Sequence, residues 1–216
     1  MLIETFTGGQ FLQNGYLALC EETRESVVID PGAAAPQIVA NLQNTGSSVT
    51  AIILTHGHFD HIEGLHQMRE CTDAPVYMHS LDTDLFENFP AQAAQFGVQR
   101  DALSLPDKEL KGGEAVTFGR LSLEVFHTPG HSPGHVIFVN ESEEVAFVGD
   151  LIFRGSVGRT DLPGGDSKML FDSIQKHILT MPDHLKLFTG HGPATTVGQE
   201  RDTNPFLTGN FMDNNL

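Results

Sequence analysis

Short apolar runs alternate with polar turns along most of the chain. Residues 16–20 and 26–29 read as two strands, and the charged turn Glu21-Glu22-Thr23-Arg24-Glu25 between them predicts a hairpin. Asp30-Pro31-Gly32 ends the second strand. Residues 36–42 then carry Ile38, Val39 and Leu42 at helical spacing, and Gly46 closes that helix. Ala51-Ile52-Ile53-Leu54 reads as a short buried strand. The spacing of Ile62, Leu65 and Met68 predicts a helix from His61 to about Arg69. Residues 76–78 form a further strand.

Residues 81–98 break the pattern, with Phe86, Phe89 and Phe96 set among polar residues and Pro90 midway. They suit helical pieces packed over the loop that follows residue 54, and equally an ordinary surface insertion. From residue 115 strands return, at 115–118, 121–127, 135–139 and 145–148, with turns at Gly112-Gly113 and Phe118-Gly119-Arg120. Asp166 suits the N-cap of a helix ending near Leu179, with Leu170, Ile174 and Ile178 inward. Residues 185–188 are a last strand, and the polar, Asn-rich stretch 199–216 is expected to fray at its end. No internal repeat is visible. Two β-rich halves, each with helices, imply one α/β domain over residues 1–216, its two sheets packed face to face with helices outside.

Composition narrows the partners. The formal charge of −16, from 12 basic and 28 acidic residues, disfavours a nucleic-acid role and an anionic membrane surface. Two divalent ions would add only about +4. Cys20 and Cys71 follow no CxxC pattern, which argues against a disulfide scaffold and fits a reducing cytoplasm. Both suit small buried hydrophobes. The start, Met1-Leu2-Ile3-Glu4-Thr5, lacks the basic region and long apolar stretch of a signal peptide, and no stretch approaches the roughly 20 apolar residues of a membrane span. A small-molecule substrate and a monomer or homodimer are the expectation.

The chemistry concentrates in Thr55-His56-Gly57-His58-Phe59-Asp60-His61, directly after the buried strand 51–54. Three histidines in six residues would repel one another if protonated, whereas neutral imidazoles and a carboxylate are ligands for a divalent metal. Three later candidates also sit where a strand ends. His131 lies in the Pro- and Gly-flanked loop 128–135, Asp150 follows the apolar strand 145–148, and His191 follows strand 185–188. The seven sort into two sites: His56, His58 and His131 for one ion, Asp60, His61 and His191 for the other, with Asp150 as bridge. A hydroxide between the ions would complete both shells and serve as nucleophile. His135 and His127 suit supporting or core positions. His66, His79, His177 and His184 suit surface or helix positions.

The order His-x-His-x-Asp-His, then His, Asp and His, resembles the signature of the metallo-β-lactamase fold superfamily. Within it, the chain looks like the glyoxalase II-like hydrolases of the short, single-domain bacterial type. Residues 55–64, 128–135, 149–166, 190–193 and Asn204-Pro205-Phe206-Leu207 carry that closer likeness. The resemblance implies a four-layered αββα sandwich, a binuclear metal site at one edge of the sheets, and hydrolysis of S-D-lactoylglutathione to D-lactate and glutathione. It also places Arg159 near the glutathione backbone, where it could pair with a substrate carboxylate or, structurally, with Asp161 or Asp166. Pro193 stands where the family often has a glutathione-contacting tyrosine, and the C-terminal helical domain of the longer enzymes is not in this sequence. The expected ions are zinc, with iron or manganese also accepted by these donors. The alternative is a persulfide dioxygenase, with one iron on two histidines and an aspartate. Those enzymes usually carry His-Asp-Tyr where this chain has His191-Gly192-Pro193. The full set of seven favours hydrolysis. A β-lactamase is disfavoured, since such enzymes are usually exported and lack a pair of ions bridged by aspartate in this way.

Overall fold

Successive side chains of a strand point to opposite faces, so a strand with apolar residues at every position has two faces to bury. The computed structural model, which describes residues 1–209, buries both. The first of two six-stranded sheets runs β1 (Leu2–Gly8), β2 (Gln13–Leu19), β3 (Glu25–Ile29), β4 (Ser48–Ile53), β5 (Val76–His79) and β6 (Lys108–Leu110) in chain order. It is antiparallel from β1 to β3 and parallel from β3 to β6. The second sheet contains β7 (Ala115–Phe118), β8 (Leu121–His127), β9 (Val136–Asn140), β10 (Val145–Gly149), β13 (Lys186–Thr189) and β14 (Thr195–Thr196). There β7 to β10 form an antiparallel run, β10 pairs parallel with β13, and β14 closes the edge. Between β10 and β13 a small hairpin, β11 (Ile152–Phe153) with β12 (Ser156–Val157), stands apart.

Three apolar layers follow from the alternation. Tyr16 and Ala18 of β2, Ala51 and Ile53 of β4, and Val145 and Phe147 of β10 meet between the sheets. Their neighbours Leu17 and Ile52 face outward onto helices α1 (Ala35–Thr45), α2 (Phe59–Ile62), α3 (Leu65–Cys71), α4 (Thr83–Glu87) and α5 (Phe89–Gln95). Ala146 and Val148 face α6 (Ser167–Ser173), which continues as a wider π turn over Ile174–Ile178, and α7 (Val197–Thr203). The order is helix, sheet, sheet, helix, the expected αββα sandwich. Among the described residues no helix is long and apolar enough to cross a membrane.

Several details differ from the sequence reading. The helix expected over 61–69 is two pieces, α2 and α3, parted at Gly64, a poor helix former. Edge strand β1 and the three-residue β6 carry too little apolar periodicity to stand out. The stretch from Gln199 onward does not simply trail off, because Thr196 caps α7 and Glu200 is fully buried. The Glu200 carboxylate accepts from the Thr195 hydroxyl, the Gly155 N–H and the Asn204 amide. Residues 210–216 of the expected frayed end lie outside the described residues. Both cysteines are free, but Cys71 is exposed at the end of α3 and only Cys20 is buried. His79, expected at the surface, is buried at the end of β5 and stacks on the ring of His127 at 4.3 Å.

Phe147 packs between Tyr16 and Phe188, ring centroids 5.3 and 5.2 Å away. Phe147→Ala opens a cavity between the sheets, and urea unfolding at fixed metal concentration should show a loss of about 3–5 kcal/mol.

Candidate metal centre

The loops leaving β3, β4, β8, β10 and β13 meet at one edge of the sandwich, and all seven predicted residues are there. His56 and His61 are fully buried, and His58, His131 and Asp150 are nearly so. Asp60 and His191 are partly open to solvent, which puts the mouth on their side. His131 Nε2 lies 3.2 Å from His56 Nε2 and 2.9 Å from His58 Nδ1, so three ring nitrogens face one point. His191 Nε2 lies 3.2 Å from Asp60 Oδ2, and His61 Nε2 lies 4.0 Å from the same oxygen. These are two triplets, each with one donor atom per residue within 4.8 Å of the others.

Asp150 stands between them. Its Oδ2 is 3.4 Å from His131 Nε2 of the first triplet and 3.5 Å from His191 Nε2 of the second, and its Oδ1 is 3.3 Å from His61 Nε2. Gly190 makes room for this, since a Cβ there would sit 2.0 Å from Asp150 Oδ1. Buried polar atoms are normally hydrogen-bonded. Here His61 Nε2 and Asp150 Oδ1, 3.3 Å apart, are buried and make no hydrogen bond, at the place where the triplets adjoin. Soft-edged nitrogen donors, carboxylate oxygens and orphaned atoms together fit a pair of divalent cations.

The remaining ring nitrogens are held from behind. His131 Nδ1 bonds the Arg159 carbonyl at 2.8 Å and His191 Nδ1 the Phe11 carbonyl at 3.0 Å. A carbonyl only accepts, so both rings carry a proton on Nδ1 and turn Nε2 inward. His56 Nδ1 meets the Thr55 hydroxyl at 2.9 Å, and that hydroxyl donates to Asp30 Oδ2. His61 Nδ1 also bonds Asp30 Oδ2, at 2.9 Å. Asp30 is thus a residue that the sequence reading missed. Its other oxygen takes the Thr55 N–H, so although it lies within ligand range of His56 and His61, its lone pairs are committed to orienting them. The signal was present, because Asp30 follows the apolar run Val27-Val28-Ile29 as Asp150 follows its own strand. Asn14, also missed, takes the loop before and after His191 by donating to the Thr189 and Gly192 carbonyls. His135 takes a supporting place, accepting from the Asp150 N–H at 3.2 Å. The Arg159 guanidinium points into solvent and grips Asp161 with two hydrogen bonds of 2.7 and 2.8 Å.

Electrostatics separates the triplets. Burial, reinforced by His61 and its neighbours, holds His56 well below the ordinary imidazole value, and burial with His131 holds His58 down at about 3. Burial also opposes charge on His191 and His61, but there Asp150 and Asp60 win. They push His191 up to about 10 and His61 well above its usual value. Without metal, the second triplet therefore holds protons at neutral pH where His56 and His58 hold none. A raised pKa means that the proton is bound more tightly than in free histidine, and a cation must displace it. Zinc titrations at pH 8, 7 and 6, each in buffers of different ionisation enthalpy, should show proton release and, for one ion, an affinity that falls about tenfold per proton for each unit by which the pH is lowered. The other ion should depend less on pH. Equal, pH-independent uptake of both would contradict this asymmetry.

The family model described as "Metallo-beta-lactamase superfamily" matches residues 8–191. Hydroxyacylglutathione hydrolase GloC of Haemophilus influenzae is 35% identical over 209 residues, covering 96% of this chain and 98% of that one. Among solved structures, the BLEG-1 B3 metallo-beta-lactamase superposes with a TM-score of 0.90 at 38% identity, covering 96% of this chain and all of that one. TTHA1623 in a di-iron-bound form superposes with a TM-score of 0.86 at 43% identity, over 94% of this chain and all of that one. With two sheets between helices, paired histidine and aspartate triplets at their edge, and a match from residue 8 through His191, the chain belongs to the metallo-β-lactamase superfamily, whose members are generally hydrolytic metalloenzymes.

Proposed function

We propose that the chain is a thioester hydrolase that splits S-D-lactoylglutathione into D-lactate and glutathione. The observation that carries this is the sharing of Asp150 between two triplets, a donor set for two ions rather than one. His56, His58 and His131 would hold one ion, Asp60, His61 and His191 the other, with Asp150 common to both. Bound there, divalent ions supply water with its pKa lowered toward about 7 and a Lewis acid for the carbonyl oxygen. Zinc suits the donors, iron and manganese are also accepted, and TTHA1623, solved in a di-iron-bound form, supports iron as one of them.

The chain's own groups do the rest. Asp60 is kept ionised, because His61 and the hydrogen bond from His191 outweigh its burial, so it can orient the attacking water and accept its proton. Asp30 and the carbonyls of Phe11 and Arg159 fix the rings before substrate arrives, so little reorganisation is left for the reaction. The leaving thiol has an ordinary pKa of about 8.5 and departs as thiolate without a strong general acid. Arg159 is the proposed anchor for a glutathione carboxylate, and Asp161 competes for it. The near full-length likeness to GloC supports the choice of thioester. A one-iron dioxygenase needs only one triplet, and the second argues against it. The likeness to BLEG-1 favours a second reading, opening of a β-lactam ring by the same water.

Zinc- and iron-loaded protein should release thiol from S-D-lactoylglutathione, with a KM toward the weak end of the usual range of about 1 μM to 1 mM. Nitrocefin assayed in parallel decides between the readings, and nitrocefin cleavage without thiol release would overturn the thioester proposal. Asp150→Ala should lose metal and activity together. Arg159→Ala should raise KM about tenfold with a smaller change in kcat, because it removes binding remote from the reacting carbonyl. If it loses metal instead, Arg159 supports His131 and does not grip substrate.

A further inference from the structure

Asp82 lies in the short helical turn after β5, far in sequence from every residue of the centre, yet it is fully buried. It forms no ion pair with lysine or arginine among the described residues. A buried carboxylate is costly unless hydrogen bonds compensate it. Asp82 has three, and each comes from a residue beside a histidine of the first triplet or its support. Oδ2 accepts from the Gly57 N–H at 3.0 Å and from Ser132 Oγ at 2.7 Å, and Oδ1 accepts from the Gly134 N–H at 2.5 Å. Gly57 separates His56 from His58, Ser132 follows His131, and Gly134 precedes His135.

One side chain therefore joins two loops from different sheets. The approach is tight, since a Cβ at Gly134 would lie 2.8 Å from the Asp82 carboxylate carbon and backbone nitrogen. From α5, Gln92 works on the same peptide. Its amide donates to the Gly57 carbonyl at 3.1 Å and accepts from the Phe59 N–H at 3.0 Å. The backbone on both sides of His58 is thus held by residues 82 and 92. Asp82 makes no hydrogen bond beside the second triplet, whose rings are held by Asp30, which also reaches His56 through Thr55, and by the Phe11 carbonyl, with Asn14 on the loop around His191.

We propose that Asp82, with Gln92, is a positioning residue for the first triplet, so that the ion position there can be weakened with little effect on the other. This rests on the reading above that each triplet holds an ion. It gives the segment 81–98 a task, which is to set the spacing of His56, His58 and His131.

The test uses the full chain and its variants Asp82→Ala, Asp82→Asn and Gln92→Ala, with zinc and cobalt(II) as probes. Chelator competition should show one ion bound about ten- to a hundredfold more weakly in Asp82→Ala, the usual cost of losing a support behind metal ligands, while the other keeps its wild-type affinity. In the cobalt forms, the shifted ring N–H proton signals of His56 and His131 should move or vanish, while those of His61 and His191 stay. Asp82→Asn and Gln92→Ala should show the same selectivity at smaller size. They carry the test if Asp82→Ala fails to fold by circular dichroism. Wild-type affinity for both ions in the variants, or equal loss of both from folded protein, overturns the inference. A wild-type chain that takes up only one ion overturns instead the two-ion reading beneath it.

Discussion

The structure depends on placing ionisable groups where water cannot solvate them. Asp30, Asp82, Asp150 and Glu200 are four carboxylates with almost no exposure, in a fold whose other buried positions are mostly apolar. Each is compensated differently. Asp30 takes donors from Thr55 and His61, Asp82 takes two backbone N–H groups and a hydroxyl, and Glu200 takes a hydroxyl, an amide and a backbone N–H. Asp150 alone keeps a buried oxygen with no hydrogen bond, faced only by His61 Nε2 at 3.3 Å. The three satisfied carboxylates stiffen the loops, and the unsatisfied one is left for chemistry. Removing one partner from such a group leaves its desolvation cost exposed, which makes these positions intolerant of change.

Much of this was legible before any coordinates. Strands buried on both faces announce themselves as unbroken apolar runs, so β3, β4, β9 and β10 were readable, and the residues just after them were natural site candidates. His56, His58, Asp60, His61, His131, Asp150 and His191 stand together as the pattern implied. What stayed hidden depends on distance in sequence. Asp82 looks like an ordinary polar residue in a helical insertion, and only the folded chain brings it against Gly57 and Gly134. Gln92 and Asn14 act through backbone groups, which leave no compositional trace. Short or half-exposed elements such as β1, β6 and β14 were equally silent, because periodicity needs several residues to show.

Arg159 illustrates the limit of reading one residue for one role. Its carbonyl fixes the ring of His131 while its guanidinium, turned outward, holds Asp161. Backbone and side chain serve different ends, so a substitution there tests the side chain only if the backbone stays in place. The β11–β12 hairpin just before it is pinned by Glu200 at Gly155 and by the Asn204 amide at the Ser156 carbonyl. The helix α7 thereby braces the wall of the site from behind.

The centre also has a consequence for how the protein persists in a cell. Its side chains come from loops of both sheets, so an ion held among Asp60, His61, His191 and Asp150 would clasp the two halves of the sandwich as well as serve the proposed reaction. Whatever binds the native state and not the unfolded chain shifts the folding equilibrium by mass action. Loss of such an ion would lower the free energy of unfolding as well as end turnover, and would loosen the edge where the two sheets meet.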